Sequence, residues 1–294
     1  MIENHWSYRM SQQELVKGLV DAGIHFGHPA ARWNPKMKQY IHGKRGNVHI
    51  IDVRATVKGL LLAKRLIAQT VASGKDVLFV GTKRQARTAV EEHAARASMH
   101  SVSERWLGGT LTNFRTIRQR LNRLEQLEKL WATGEIDTYS KKMKATLGRE
   151  KTKILTNLAG IRKMEKLPGV MFIIDTRREH IAVKEAKKMG VTTIALIDTD
   201  SDPDLIDLPI PGNDDAMRAI DLIMKELADA AIDGRQGRNA QEAKQGGDEA
   251  RRRSTRTRFK ADDGKEAPLG EAQGEASDAP ASETAPTPPE PTAG

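Results

Sequence analysis

The 294-residue chain contains no cysteine, which excludes a disulfide framework and any thiolate metal centre. Aromatic residues make up 4% of the chain and apolar residues 38%, so a core must be built mostly from aliphatic side chains. The longest apolar runs, such as Gly59-Leu60-Leu61-Leu62 and Val170-Met171-Phe172-Ile173-Ile174, are far shorter than the ~20 residues of a membrane-spanning helix. The opening residues, MIENHWSYRM, hold no apolar secretory core, and a cytoplasmic location with no membrane partner is expected. Phosphate-binding signatures are missing as well: neither G-x-G-x-x-G nor G-x-x-x-x-G-K-[ST] occurs. No H-E-x-x-H, nucleophile elbow or Ser/His/Asp arrangement stands out. The chain is therefore not expected to be an enzyme, to use a cofactor or to bind a small-molecule substrate. His25, His28, His42 and His49 lie close in sequence, but only Asp52 joins them as a carboxylate, and no metal site is expected. Asp198, Asp200, Asp202 and Asp204 imitate the opening of a calcium loop. Pro203 and Pro209 stand where that loop needs its glycine and glutamate.

What the chain does have is positive charge, unevenly placed. The formal net charge is +9, and residues 105–166, with 15 Lys+Arg against 6 Asp+Glu, carry +9 by themselves. Residues 28–54 carry +5, whereas 167–235 carry −6. In the first of these stretches Phe114, Ile117, Leu121, Leu124, Leu127, Leu130 and Trp131 recur at helical spacing. A second series, Met143, Leu147, Ile154, Leu158 and Ile161, follows a turn near 134–140. Two apolar stripes joined by so short a connection predict an antiparallel helical hairpin. Its outer faces hold many Arg and Lys with few carboxylates. A merely solvating face mixes signs at i,i+4, and Arg suits planar phosphate recognition, so the pattern points to a polyanion contact. Segment 26–38, with two prolines and no period, is expected to be an ordered basic loop. The acidic stretch 198–215 is expected to face solvent or a protein.

Along the chain, Ser11-Gln12-Gln13-Glu14 has capping-box spacing and opens a short helix that Gly23 ends. Strands are expected at 48–52, 76–81, 169–175, 191–198 and 208–210, the last at an edge because of Pro209. Helices fall between most of them: 57–71, one following a Thr82 cap and reaching about Ser98, one opened by Thr176-Arg177-Arg178-Glu179 and reaching Met189, and a final one capped by Asn213 with Gly234 as its stop. Continuous apolar strands alternating with helices imply a mainly parallel sheet with helices on both faces. The hairpin is then an insertion. Gly81-Thr82-Lys83-Arg84 at a strand–helix junction could hold a phosphate, although a capped, solvated helix start is the commoner outcome. From Gln236 the composition turns to Gln, Gly, Ala, Glu, Pro and Thr, and a disordered tail is expected over 236–294, with one basic knot at Arg251-Arg252-Arg253-Ser254-Thr255-Arg256-Thr257-Arg258.

Several blocks carry a resemblance. His25-Phe26-Gly27-His28 with Arg32-Trp33-Asn34-Pro35-Lys36-Met37, Arg105-Trp106-Leu107-Gly108-Gly109-Thr110-Leu111-Thr112-Asn113-Phe114, Pro168-Gly169-Val170-Met171-Phe172-Ile173-Ile174-Asp175, and Pro209-Ile210-Pro211-Gly212-Asn213-Asp214-Asp215-Ala216 stand in this order. In sequence and order they resemble the bacterial small-subunit ribosomal protein two family. Asp200 departs from its pattern, where Asn is common. The resemblance implies a flavodoxin-like α/β domain over 11–235 with an inserted coiled-coil hairpin at about 105–166, an N-terminal extension (1–10) and the tail. It also implies a structural role in the small ribosomal subunit, binding 16S rRNA near the head–body junction and supporting the docking of ribosomal protein one for mRNA capture. RNA contacts are then expected from Arg32, Trp33, Lys36, Lys38, Lys44, Arg45, Arg105, Asn113, Arg115, Arg118, Arg162 and Lys163. Trp33, Trp106 and Tyr40 could stack on bases, with Trp106 better placed as a packing anchor. The alternatives are a nucleotide-dependent α/β enzyme and a basic coiled-coil adaptor for another polyanion.

Overall fold

The computed structural model describes residues 12–262, with side chains for 13–239; Ser11 of the expected capping box lies outside them. Five strands form the main sheet: β4 (Val77–Val80), β5 (His100–Val102), β6 (Val170–Ile174), β7 (Thr192–Ile197) and β8 (Leu208–Pro211). All neighbouring pairs are parallel, in the order β5-β4-β6-β7-β8. Numbered within this sheet alone that is 2-1-3-4-5, the flavodoxin-like order. As expected, proline-bearing β8 lies at an edge. β5 escaped the sequence reading because it is three residues long and includes His100 and Ser101.

Alternating side chains of the strands feed two cores. Val77, Phe79, Val170, Phe172, Ile174, Ile194 and Leu196 pack on one face with helices α1 (Gln12–Asp21), α2 (Val53–Ala72), α3 (Arg87–Ala97) and α7 (Met217–Asp262). Leu78, Val80, Met171, Ile173, Ala195 and Ile197 pack on the other with α6 (His180–Met189) and the insert. Each fully buried aliphatic or Phe side chain contributes about 1.5–3 kcal/mol, and on β4 and β6 both faces are covered. That double burial is why these strands read as unbroken apolar runs.

Between β5 and β6 the chain leaves the sheet as two helices, α4 (Phe114–Ala132) and α5 (Lys141–Leu158). Ile117, Leu121, Leu124 and Leu127 of α4 and Leu147, Ile154 and Leu158 of α5 are buried. Arg118 bonds to Met164, Arg123 to Glu150, and Lys151 lies over the Trp131 ring, so the helices run antiparallel. Ser140 caps α5 by accepting from Met143 N. Met143 was expected in the seam but is 44% exposed, because it sits in the first turn, where the helices are only beginning to face each other.

Several local expectations need correction. The segment expected as a loop, 26–38, is only partly irregular: β1 (Phe26–Pro29) lies in it and, with β2 (Ile41–Arg45), flanks β3 (Val48–Ile51) in a small antiparallel sheet. β1 and β2 are short, include glycine and polar residues and pair with β3 through bulges, which hides their period. Thr82 does not cap α3, which starts five residues later; its hydroxyl instead bonds Glu179. With Glu179 turned to Thr82, the Thr176–Glu179 capping box does not form either. Gly234 does not stop the last helix. A Cβ there would stand 2.6 Å from the Ala68 carbonyl oxygen, so glycine is needed for close approach to α2, and α7 continues to Asp262. The expected tail therefore begins as helix as far as Asp262; its remainder, 263–294, lies outside the described residues.

Candidate nucleic-acid interface

The expected RNA-contact residues divide into two groups once their partners are known. Arg32, Lys38, Lys44, Arg45, Arg105, Arg115 and Lys163 are exposed, and no ion pair engages them among the described residues. Arg32 closes a single 3-10 turn (Ala30–Arg32), Lys38 lies on the next (Pro35–Tyr40), and Lys44 and Arg45 end β2. Arg115 lies in the first turn of α4, and Arg105 and Lys163 flank the insert. The other group is engaged by partners within the chain. Lys36 Nζ lies 2.8 Å from both Asp202 and Asp204, which raise its pKa. Arg118 donates to the carbonyls of Arg162 (3.4 Å) and Met164 (3.1 Å), and Arg162 pairs with Glu128 in a two-pronged contact (3.1 and 2.7 Å). Asn113 is exposed, and its Oδ1 accepts from Thr116. Trp33 is half-buried, its ring 5.2 Å from that of His49, and Tyr40 is half-buried.

Trp106 is 6% exposed, so it is the packing anchor rather than a base-stacking surface. Its Nε1 donates to Glu185 on α6 (3.3 Å). The same carboxylate accepts from the backbone N–H of Gly109 (2.7 Å), Leu111 (3.0 Å) and Thr112 (3.2 Å). Burial pushes the Glu185 pKa up, but these donors outweigh it and hold the carboxyl below its ordinary value. One side chain thereby fixes segment 106–112, which sets where Arg105 and Arg115 emerge. Sequence reading missed Glu185, although a signal existed: it shares the buried face of α6 with Ala182, Val183 and Ala186, an unusual place for a charge.

A second constellation gathers at the carboxyl ends of the parallel strands, where the strand order reverses. Lys83, after β4, reaches Asp214 (2.8 Å), Asp215 (2.5 Å) and Asp175 (3.5 Å). Burial disfavours its charge, but those carboxylates outweigh that and raise its pKa. His28 Nδ1 bonds Asp198 Oδ2 at 2.7 Å, which raises the histidine pKa to about 9. Asp214, 1% exposed, is pushed up to about 7 by burial and by Asp175 and Asp198, against the opposing pull of Lys83. The acidic stretch expected to face outward is thus partly turned inward: Asp198 and Asp214 are buried, and Asp202 and Asp204 hold Lys36. Lys83, in the Gly81–Arg84 junction, meets carboxylates where a phosphate would need cations.

Comparison with known proteins is consistent with this arrangement. The family model described as "Ribosomal protein S2" matches residues 19–234. The small ribosomal subunit protein uS2 of Rhodopirellula baltica is 60% identical over 222 residues, covering 76% of this chain and 85% of the relative. That of Syntrophobacter fumaroxidans is 50% identical over 220 residues, covering 75% and 80%. With a parallel α/β core of the expected order, and with matches spanning that core from α1 to Gly234, the chain belongs to the ribosomal protein S2 family.

Proposed function

We propose that the exposed basic residues of the small antiparallel sheet and of the insert bind 16S rRNA near the head–body junction of the small subunit. Family membership makes the protein a structural constituent of that subunit and not an enzyme. The finer assignment rests on one observation: Arg32, Lys38, Lys44, Arg45, Arg105, Arg115 and Lys163 project from the fold without carboxylate partners among the described residues. Such side chains supply the salt-sensitive, sequence-independent part of RNA affinity. The insert, a coiled-coil arm in this reading, holds part of this charge at its base, at Arg105, Arg115 and Lys163. The position on the subunit, the cytoplasmic setting and a supporting role in docking ribosomal protein one follow from the family resemblance.

Reversing Arg32, Lys44, Arg115 and Lys163 to Glu tests the reading. Exposed substitutions of this kind change stability by about 0.5 kcal/mol or less each, so circular dichroism should match wild type. Reconstitution into small subunits should fail. Incorporation at the wild-type level would sink the assignment.

A further inference from the structure

Given the RNA-binding reading of the insert, we propose that the hollow between α4, α5 and segment 106–112 holds one unstacked nucleotide of RNA, its base on an apolar floor and its phosphates on a cationic rim. The hollow has a volume of about 460 Å3, inside the range of about 300–1,000 Å3 typical of small-ligand sites. Leu107, Ile154 and Leu158 form its floor. Ile154 and Leu158 are 9% and 3% exposed and belong to the core beneath, and Leu107 is half-buried against it. The Leu107 carbonyl accepts from the Thr110 backbone N–H (3.1 Å) and hydroxyl (2.6 Å), within the segment that Glu185 holds. The floor is therefore formed before any ligand arrives.

Arg120 of α4 and Arg149 and Lys153 of α5 stand around this floor, and all three are exposed. No ion pair engages them among the described residues. Arg149 reaches the Ala145 carbonyl (3.3 Å) and the Thr146 hydroxyl (3.5 Å) of its own helix. The carboxylate in the lining, Glu150, is held by Arg123 at 3.4 Å. On α5 the arrangement follows from two neighbouring rows at i, i+4, i+8: Arg149, Lys153 and Asn157 on one, Glu150, Ile154 and Leu158 on the other. Like charges at i,i+4 disfavour a helix, and a phosphate lying between Arg149 and Lys153 would relieve that.

A contact made by charge alone needs no concavity, and an apolar pocket for a protein side chain needs no ring of cations. A nucleotide has both parts, a base with flat faces and an anionic backbone. RNA is read mostly at bulges and loops, where bases can turn out of the stack, and the rim adds phosphate contacts to such a base. Asn157 supplies a polar edge. Its Nδ2 donates to the Lys153 carbonyl (2.9 Å), which leaves its oxygen and a second amide hydrogen for a base. A continuous duplex keeps its bases stacked and paired and has nothing to lay on the floor.

Untagged full-length protein is titrated with three RNA probes: a plain duplex, the same duplex with one bulged adenosine, and that bulge with an abasic residue in place of adenosine. The adenosine bulge should bind about fivefold more tightly than either of the others, as burial of one base face would give. Asn157→Phe fills the hollow without changing charge, so it should erase that preference while plain-duplex affinity stays within about twofold. Arg149→Gln with Lys153→Gln leaves the core untouched and should weaken the bulged probe about threefold more than the plain duplex. Circular dichroism checks that both variants fold. Free AMP, which lacks the flanking phosphates, should not compete at micromolar concentration; if it does, the site serves a free nucleotide and the proposal fails. Equal wild-type affinity for all three probes, or a bulge preference that survives both sets of substitutions, would also overturn it and leave the basic-surface reading standing. Absence of salt-sensitive binding to every probe would sink the basic-surface reading itself, and this site with it.

Discussion

At the scale of single residues, Glu185 is the side chain on which the geometry of the interface most depends. It satisfies three backbone donors and the Trp106 indole. Hydrogen bonds to a charged group contribute about 1.5–3 kcal/mol each at most, and leaving their donors buried and unpaired costs a similar amount. Glu185→Ala should therefore lower stability by about 3 kcal/mol, and Glu185→Gln by somewhat less, both measurable by urea unfolding. The pH dependence has a definite sign. Because the folded-state pKa is lowered, the contribution is complete above the ordinary Glu value of about 4.3 and is lost as pH falls through the folded-state value. Glu185→Gln should flatten that acid limb of the stability profile. An unchanged limb would show that the carboxylate is not what anchors segment 106–112.

At the scale of elements, the insert separates fold from function. Leu121 and Leu158, 2% and 3% exposed, lie in the seam between α4 and α5. Leu121→Asp or Leu158→Asp buries an unpaired charge there and should unfold the helix pair, seen as lost helical circular dichroism and new proteolytic sites between 114 and 158. Arg118 and Arg115 make a finer contrast. Arg118 is spent on the carbonyls of Arg162 and Met164, so Arg118→Ala should destabilise the base of the insert by about 1–3 kcal/mol. Arg115→Ala should leave the midpoint unchanged and weaken RNA binding. Equal stability of the two variants would refute this division. Much of the insert was legible beforehand, because two amphipathic stripes and a short turn are local features. Of the small sheet only β3 was legible: β2, Ile-His-Gly-Lys-Arg, has no apolar alternation to read, and its pairing with β3 is bulged.

For the whole molecule, the flavodoxin-like order invites a nucleotide reading that the strand ends argue against. Lys83, at those strand ends, faces Asp175, Asp214 and Asp215, and this negative surrounding repels phosphate. Purified protein should show no saturable ATP or GTP binding in equilibrium dialysis. Micromolar binding abolished by Lys83→Ala would revive the nucleotide alternative.

The sequence by itself determined the parallel sheet, the two-helix insert and the concentration of basic charge, since apolar period and local composition are written in neighbouring residues. Strands β4, β6 and β7 were visible because both their faces are buried; β5 was too short to be. Only the tertiary structure decided which basic residues are free. Lys36 and its carboxylates are 166 and 168 residues apart, and His28 and Asp198 are 170 apart. Charge pairing acts over a few ångströms, whatever the separation along the chain, so partners of this kind leave no mark in local spacing and are set only when the fold brings their loops together.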